Sequence, residues 1–184
     1  MAVAACTTTN AGHQGGLAAT VTASGRPAAV APATSRSNAR PCAAAMLRIR
    51  AGREGEGPGA HGDIDFTDVA RARCVLRGLP AVAIATSAGN LLPVTLTRTA
   101  GVTAQQVLLA PGRADAAELV VFWSNWCGRA PGPLTVRVTL PAGSGTVTGS
   151  FDGPPDYDFV PPCLNAHQRS TVSVVAAYQT GTVS

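Results

Sequence analysis

The chain has 184 residues, contains no lysine and has few aromatic side chains, which make up 4% of the sequence. All 14 of its basic residues are therefore arginine. A hydrophobic core must be built mainly from Val, Leu, Ile and Ala, because these supply most of the 46% hydrophobic content. The sequence also contains no run of about 18 apolar residues, which is the length that a membrane-spanning helix needs. The sequence pattern therefore predicts no such helix.

The part of the chain that is predicted to fold, residues 42–184, carries little net positive charge. Residues 1–41 carry three arginines and no acid, whereas residues 42–184 carry eleven arginines against ten acids. The net charge of +4 therefore divides into +3 and +1. A nucleic-acid-binding domain concentrates positive charge on its folded surface. This distribution predicts no nucleic-acid partner.

Four cysteines indicate the cellular compartment in which the protein resides. Cys42, Cys74, Cys127 and Cys163 are 32, 53 and 36 residues apart. An even set of cysteines in a small domain is typical of disulfide-bonded, exported proteins, since a reducing cytosol keeps thiols reduced. We therefore predict an extracellular or cell-surface location.

The fifth cysteine, Cys6, ends the segment Val3-Ala4-Ala5-Cys6, which has the pattern of a bacterial lipobox. A lipobox follows a basic region and an apolar stretch of roughly 7–15 residues, and here only five residues precede Cys6. We interpret residues 1–6 as the remnant of a lipoprotein signal whose true start lies upstream, with Cys6 as the lipidated residue. The alternative is a chance match in an alanine-rich sequence.

Residues 7–41 consist mainly of Thr, Ala, Gly, Ser and Pro and carry almost no large apolar side chain. Such a segment cannot bury enough surface to offset its ordering entropy. It is predicted to be a disordered linker, which would hold the following domain away from the membrane.

Residues 42–184 show the pattern of a β-domain. In Leu134–Leu140 every second residue is apolar, which predicts a half-buried strand. Similar strands are predicted at 46–50, 63–67, 81–86, 92–98, 106–109, 116–123, 146–151 and 171–178, with a Gly-rich loop at 52–62. Nine or ten short strands without a helix predict an immunoglobulin-like antiparallel β-sandwich.

Three pairings of the four domain cysteines are possible. Cys42 precedes the first predicted strand and Cys74 follows the second, so two antiparallel strands return them to the same end. The same argument brings Cys127 towards Cys163. We favour Cys42–Cys74 and Cys127–Cys163 over Cys42–Cys163 with Cys74–Cys127.

Several segments together resemble a known family. They are Pro41-Cys42, the Cys-x-Leu-x-Gly-x-Pro segment 74–80, the Leu-x-Pro-Gly segment 109–112, Cys127 and Cys163-Leu164. This order resembles domain-of-unknown-function family 4232, secreted and lipid-anchored proteins of high-GC Gram-positive bacteria, over about residues 42–180. The resemblance implies export, disulfides and a β-sandwich. It implies no enzymatic activity.

Residues for catalysis or metal binding are few. His13 lies in the linker and His61 in the predicted loop, which leaves His167 as the candidate base of an enzyme site with the Asp152–Asp158 loop. Asp152, Asp156 and Asp158 could offer oxygen ligands to calcium, which needs six to eight. Loop acids are usually only solvated, so we expect no metal and no cofactor.

The best binding candidate is a patch of four aromatic residues and one arginine. Trp123 and Trp126 lie near Cys127, Tyr157 and Phe159 lie in the segment before Cys163, and Arg129 is the arginine. A Cys127–Cys163 bridge would draw their segments together, and sandwich loops often carry recognition. The alternative is structural, with Trp123 ending a core strand and Trp126 packing on the disulfide.

The sequence thus predicts a non-enzymatic, exported cell-envelope protein, a tethered module that binds an envelope component or another protein. It would associate with the membrane by its lipid anchor only. The alternatives are an enzyme or enzyme accessory near His167, and a purely structural spacer.

Overall fold

The computed structural model describes residues 39–52, 59–113, 117–129, 132–151 and 160–179. Cys6 and nearly all of the predicted linker lie outside these ranges, as does the Asp152–Asp158 loop. The described residues form ten strands and two short 3-10 turns, at Ala44–Met46 and Pro141–Gly143. The strands are Leu47–Ala51 (β1), Gly59–Asp68 (β2), Cys74–Leu76 (β3), Ala81–Thr86 (β4), Thr95–Arg98 (β5), Val107–Leu109 (β6), Ala117–Ser124 (β7), Leu134–Thr139 (β8), Thr146–Ser150 (β9) and Thr171–Gln179 (β10).

Alternation of side chains along the longer strands explains why they form. In β7, Ala117, Leu119, Val121 and Trp123 are buried, while the residues between them are half-buried. β1 and β8 also alternate, with Leu, Ile, Val or Ala side chains on the inner face. Successive side chains of a strand point to opposite faces, so each strand presents one apolar face to the core.

The strands are arranged in three sheets. A five-stranded sheet has the order β1-β2-β7-β10-β5, a three-stranded sheet has the order β4-β8-β9, and β3 pairs with β6. The all-β sandwich predicted from the sequence is confirmed. One pairing departs from the antiparallel pattern, because β5 runs parallel to β10 with Thr95 opposite Thr171.

One hydrophobic core lies between the larger sheets. Ile64, Phe66 and Leu119 enter it from the five-stranded sheet, and Ile84 and Val136 from the three-stranded sheet. All five side chains are at most 1% exposed. Aliphatic side chains fill most of this core, as expected from the low aromatic content.

Two sequence predictions need correction. Strand β2 begins at Gly59, so His61 lies in a strand and not in a Gly-rich loop. A Cβ atom on Gly59 would overlap the ring of Phe122, so glycine permits this close pairing of β2 with β7. The strand predicted from residue 92 begins only at Thr95, after Pro93, which has no N–H for a ladder.

Among the described residues, no helix is long and apolar enough to cross a membrane.

Candidate functional site

Two disulfides staple the domain, and they differ in their surroundings. Cys42 is bonded to Cys74 with a Cα–Cα distance of 4.8 Å, and both residues are buried. Cys127 is bonded to Cys163 with a Cα–Cα distance of 4.5 Å, and both residues are exposed. These are the two pairs favoured by the strand order. Two disulfides in one small domain indicate an oxidising environment outside the cytoplasm.

The exposed bridge joins the segment after β7 to the segment before β10. Asn125 follows the last residue of β7, has a φ of 58° and is only 4% exposed. Asparagine tolerates this left-handed conformation better than most residues. The turn of the chain at Asn125 aims its side chain at the segment that carries Cys163.

The Asn125 amide group binds that segment through four hydrogen bonds. Its Nδ2 group donates to the carbonyl oxygens of Asn165, at 2.9 Å, and Gln168, at 2.7 Å. Its Oδ1 atom accepts from the backbone N–H groups of Leu164, at 2.9 Å, and Asn165, at 2.8 Å. We call residues 163–168 the clamped loop, because Asn125 and the disulfide hold it independently.

Two tryptophans flank Asn125 in the sequence and have different environments. Trp123 is fully buried, and its Nε1 group donates to Ser170 Oγ at 2.8 Å. Trp126 is half-buried, with its ring centroid 5.7 Å from that of Trp123 and the planes at 65°. The Nε1 group of Trp126 donates to the Arg129 carbonyl at 3.2 Å. An edge-to-face pair of this kind stabilises the end of β7.

The predicted aromatic patch therefore needs correction at Trp123. This side chain belongs to the core and offers no surface to a partner. Trp126 and the exposed Arg129 remain available, whereas Tyr157 and Phe159 lie outside the described residues. The predicted patch is in part a structural element, because its first tryptophan anchors the end of a core strand.

Leu164 is a surface residue that the patch prediction missed. It is 58% exposed, although it sits on the clamped loop next to Cys163. The neighbouring sequence does not indicate this exposure, because Cys163-Leu164 is an ordinary pair of apolar residues. We call Trp126, Arg129, Leu164 and the Cys127–Cys163 bridge the bridge surface.

The comparison with family models covers this site. The model described as domain of unknown function DUF4232 matches residues 42–176, a span that contains both disulfides, Asn125 and the clamped loop. The chain belongs to the DUF4232 family. No curated protein and no solved structure matches the chain. DUF4232 is a domain of unknown function, so the chemical roles of its residues are argued from their contacts.

His167 lies on the clamped loop of the DUF4232 domain and is exposed. Its backbone N–H donates to Asn165 Oδ1 at 2.9 Å. Among the residues that the structure describes, no acid or hydroxyl is hydrogen-bonded to its imidazole. A general base needs an orienting partner. The Asp152–Asp158 loop, which was expected to supply one, lies outside the described ranges.

Metal ligands do not gather in the described part of the DUF4232 domain, which holds no group of three or more His, Cys, Asp or Glu side chains suited to a metal ion. The acids considered for calcium, Asp152, Asp156 and Asp158, lie outside it.

A small cavity lies beside the buried disulfide. Its volume is about 50 Å³, and its lining includes Cys42, Val75, Leu140 and Tyr178. A single water molecule needs roughly 10–15 Å³ of such volume, so this cavity is too small for an organic substrate.

Proposed function

We propose that this chain is an exported, non-enzymatic binding module that contacts a protein partner through the bridge surface. Residues 1–6 and 7–41 would supply a lipid anchor at Cys6 and a tether, and residues 42–184 the binding domain. The observation that carries the proposal is Leu164, a large apolar side chain that is 58% exposed on a loop held in place by Asn125 and a disulfide.

The exposure of Leu164 is informative because the clamped loop that carries it is held in place. Single exposed leucines are common, and most carry no function. A side chain on a mobile loop, however, would lose conformational entropy on binding, whereas one on a clamped loop has already lost it. Pre-organised apolar residues are the usual anchors of interfaces, with near-neutral contacts around them.

The charges around Leu164 favour an acidic partner surface. Arg129 and Arg169 are both exposed, and neither forms an ion pair with any residue of the described ranges. Arginine is well suited to interfaces because it binds carboxylates in a bidentate manner. We therefore expect the partner to present an apolar pocket with carboxylates at its rim.

The test uses a photoreactive residue at position 164, in cells that export the full chain. Leu91 is the matched control, since it is also 58% exposed but lies in a different part of the sequence. We expect a discrete adduct from position 164 and none of the same mass from position 91. Amine-reactive crosslinkers suit this chain poorly, because it has no lysine.

Affinity for the crosslinked partner then decides whether Leu164 is an anchor. Leu164→Asp should weaken binding roughly tenfold or more, as expected for a central interface residue, whereas Leu91→Asp should leave it unchanged. Equal adducts at both positions, or equal affinities of both variants, would contradict the proposal.

A further inference from the structure

The two disulfides differ sharply in their access to solvent. Cys42 is 3% exposed and Cys74 is fully buried, whereas Cys127 and Cys163 are both exposed residues. Thiol–disulfide exchange begins with attack of a thiolate on one sulfur of the bridge, so its rate depends on access. Exposed disulfides are the labile or catalytic ones in proteins, and buried disulfides are structural.

We propose that the Cys127–Cys163 bridge is a reversible thiol–disulfide exchange site, while Cys42–Cys74 is a permanent structural bridge. The co-reactant is a dithiol, either a small molecule or a pair of cysteines on another exported protein. This activity goes beyond the proposed binding function and does not depend on it.

The hydrogen bonds of Asn125 make the exchange reversible. Its four bonds hold the clamped loop through backbone groups of Leu164, Asn165 and Gln168, none of which involves the sulfur atoms. Reduction of the bridge therefore leaves the clamped loop attached to the end of β7. The two thiols stay close together at a high effective concentration, which favours re-formation of the same bridge.

The amide of Asn125 also faces the sulfur of Cys127. Asn125 Oδ1 lies 3.6 Å from Cys127 Sγ, within reach of a weak hydrogen bond from a thiol. An acceptor at this position suits the thiol of the reduced form, whereas burial of Cys42 and Cys74 denies a thiolate access to the other bridge.

The reaction balances without any bound group. One thiolate of the dithiol attacks a sulfur of the bridge and forms a mixed disulfide, and the displaced cysteine takes up a proton. The second thiolate of the dithiol then attacks the mixed disulfide and releases the other cysteine. Two electrons and two protons pass to Cys127 and Cys163, and the dithiol becomes a disulfide. The reverse sequence oxidises the domain again.

The test measures reduction of the native full-length protein, site by site. The protein is incubated with dithiothreitol at neutral pH, quenched by alkylation at intervals and mapped by peptide mass. We expect Cys127 and Cys163 to be alkylated at least roughly tenfold faster than Cys42 and Cys74, because exchange at a buried bridge requires a local opening first. The near-ultraviolet circular dichroism of the tryptophans should persist during the first step.

Re-oxidation tests the role of Asn125. After removal of the reductant, wild-type protein should re-form Cys127–Cys163 as an intramolecular bridge. Asn125→Gly removes the amide but tolerates the same backbone conformation, and should slow this step several-fold. Asn90→Gly, in an exposed turn, serves as the matched control and should leave the rate unchanged.

Two results would overturn the proposal. One is reduction of both bridges at the same rate. The other is loss of the tryptophan dichroism as soon as the exposed bridge opens, which would show that this bridge is needed for folding. Either result leaves the photocrosslink at position 164 unaffected, so the two proposals fail separately.

Discussion

At the scale of single residues, Tyr178 occupies an unfavourable position in the described core. It lies at an irregularity of β10, between the pairs Ala177 with Leu119 and Gln179 with Glu118, and has a φ of 58°. Its ring packs against Phe66 with centroids 5.7 Å apart. The hydroxyl is buried without a hydrogen-bond partner. An unsatisfied buried hydroxyl of this kind costs about 1–3 kcal/mol.

Burial raises the pKa of Tyr178 well above its usual value of about 10. Above a pH of about 10, this tyrosine releases its proton in the unfolded chain but retains it in the folded chain. The unfolded state then binds fewer protons, so the free energy of unfolding falls as pH rises through the unfolded pKa. Lysine does not obscure this effect, because the chain contains none.

The corresponding prediction concerns Tyr178→Phe in a Cys6→Ser background, which removes the unpaired cysteine. We expect the free energy of unfolding at pH 7 to rise by about 1 kcal/mol, since the unsatisfied hydroxyl is gone. Between about pH 9 and 11, a range centred on the ordinary tyrosine pKa of about 10, the decline in stability should become shallower. Urea unfolding followed by tryptophan fluorescence measures both effects. A decline in Tyr178→Phe as steep as that of the Cys6→Ser parent would refute the assignment.

At the scale of elements, β9 approaches β1 closely enough to link the two larger sheets along one edge. A bridge pairs Ala51 with Phe151 in parallel orientation. A Cβ atom on Gly149 would overlap the carbonyl oxygen of Ile49, a backbone atom that cannot rotate away. Glycine at this position therefore sets how closely the two sheets can meet.

We expect Gly149→Ala to lower the free energy of unfolding by about 1–3 kcal/mol, the usual cost of overpacking. Gly52→Ala is the matched control, because nothing lies within 4 Å of a Cβ atom at that site. It should be neutral or slightly stabilising, since alanine restricts the unfolded chain. The measurement is the urea midpoint of both variants, and a neutral Gly149→Ala would show that β9 and β1 can separate without loss.

Strands with strict alternation, such as β8, could be predicted from the sequence because one face of each is buried. Pairing partners could not, and the parallel contact of β5 with β10 depends on the path of the whole chain. The start of β2 was misjudged because Gly59 and Gly62 read as loop residues. The role of Asn125 could not be predicted for another reason. Its four hydrogen bonds reach residues about 40 positions away, and no pattern in the neighbouring sequence indicates them.

At the scale of the whole molecule, the two disulfides close chain segments of similar length, separated by 32 and 36 residues. By loop-closure entropy alone, each should stabilise the fold by about 3–4 kcal/mol. Their surroundings differ, however, because only Cys42 and Cys74 pack inside the core.

Removal of each bridge separates these contributions. We expect Cys42→Ala with Cys74→Ala to lose the entropic contribution of about 3–4 kcal/mol and, in addition, the packing of two buried sulfur atoms. Cys127→Ala with Cys163→Ala should lose only the entropic contribution. Urea unfolding of both double variants gives the comparison, and a larger loss from the exposed pair would contradict the difference in packing.

The position of the first bridge also determines how the domain bears mechanical load. Residues 43–73, which include β1 and all of β2, lie inside the loop closed by Cys42 and Cys74. A pull on the chain before Cys42 passes through the sulfur–sulfur bond directly into β3. The strands inside the loop carry no tension, so a force applied from this side does not peel β1 from the edge of its sheet. The first hydrogen bond to be loaded is the one that the Val75 N–H group donates to the carbonyl oxygen of Arg40, at 2.9 Å, and those of the short ribbon formed by β3 and β6 follow.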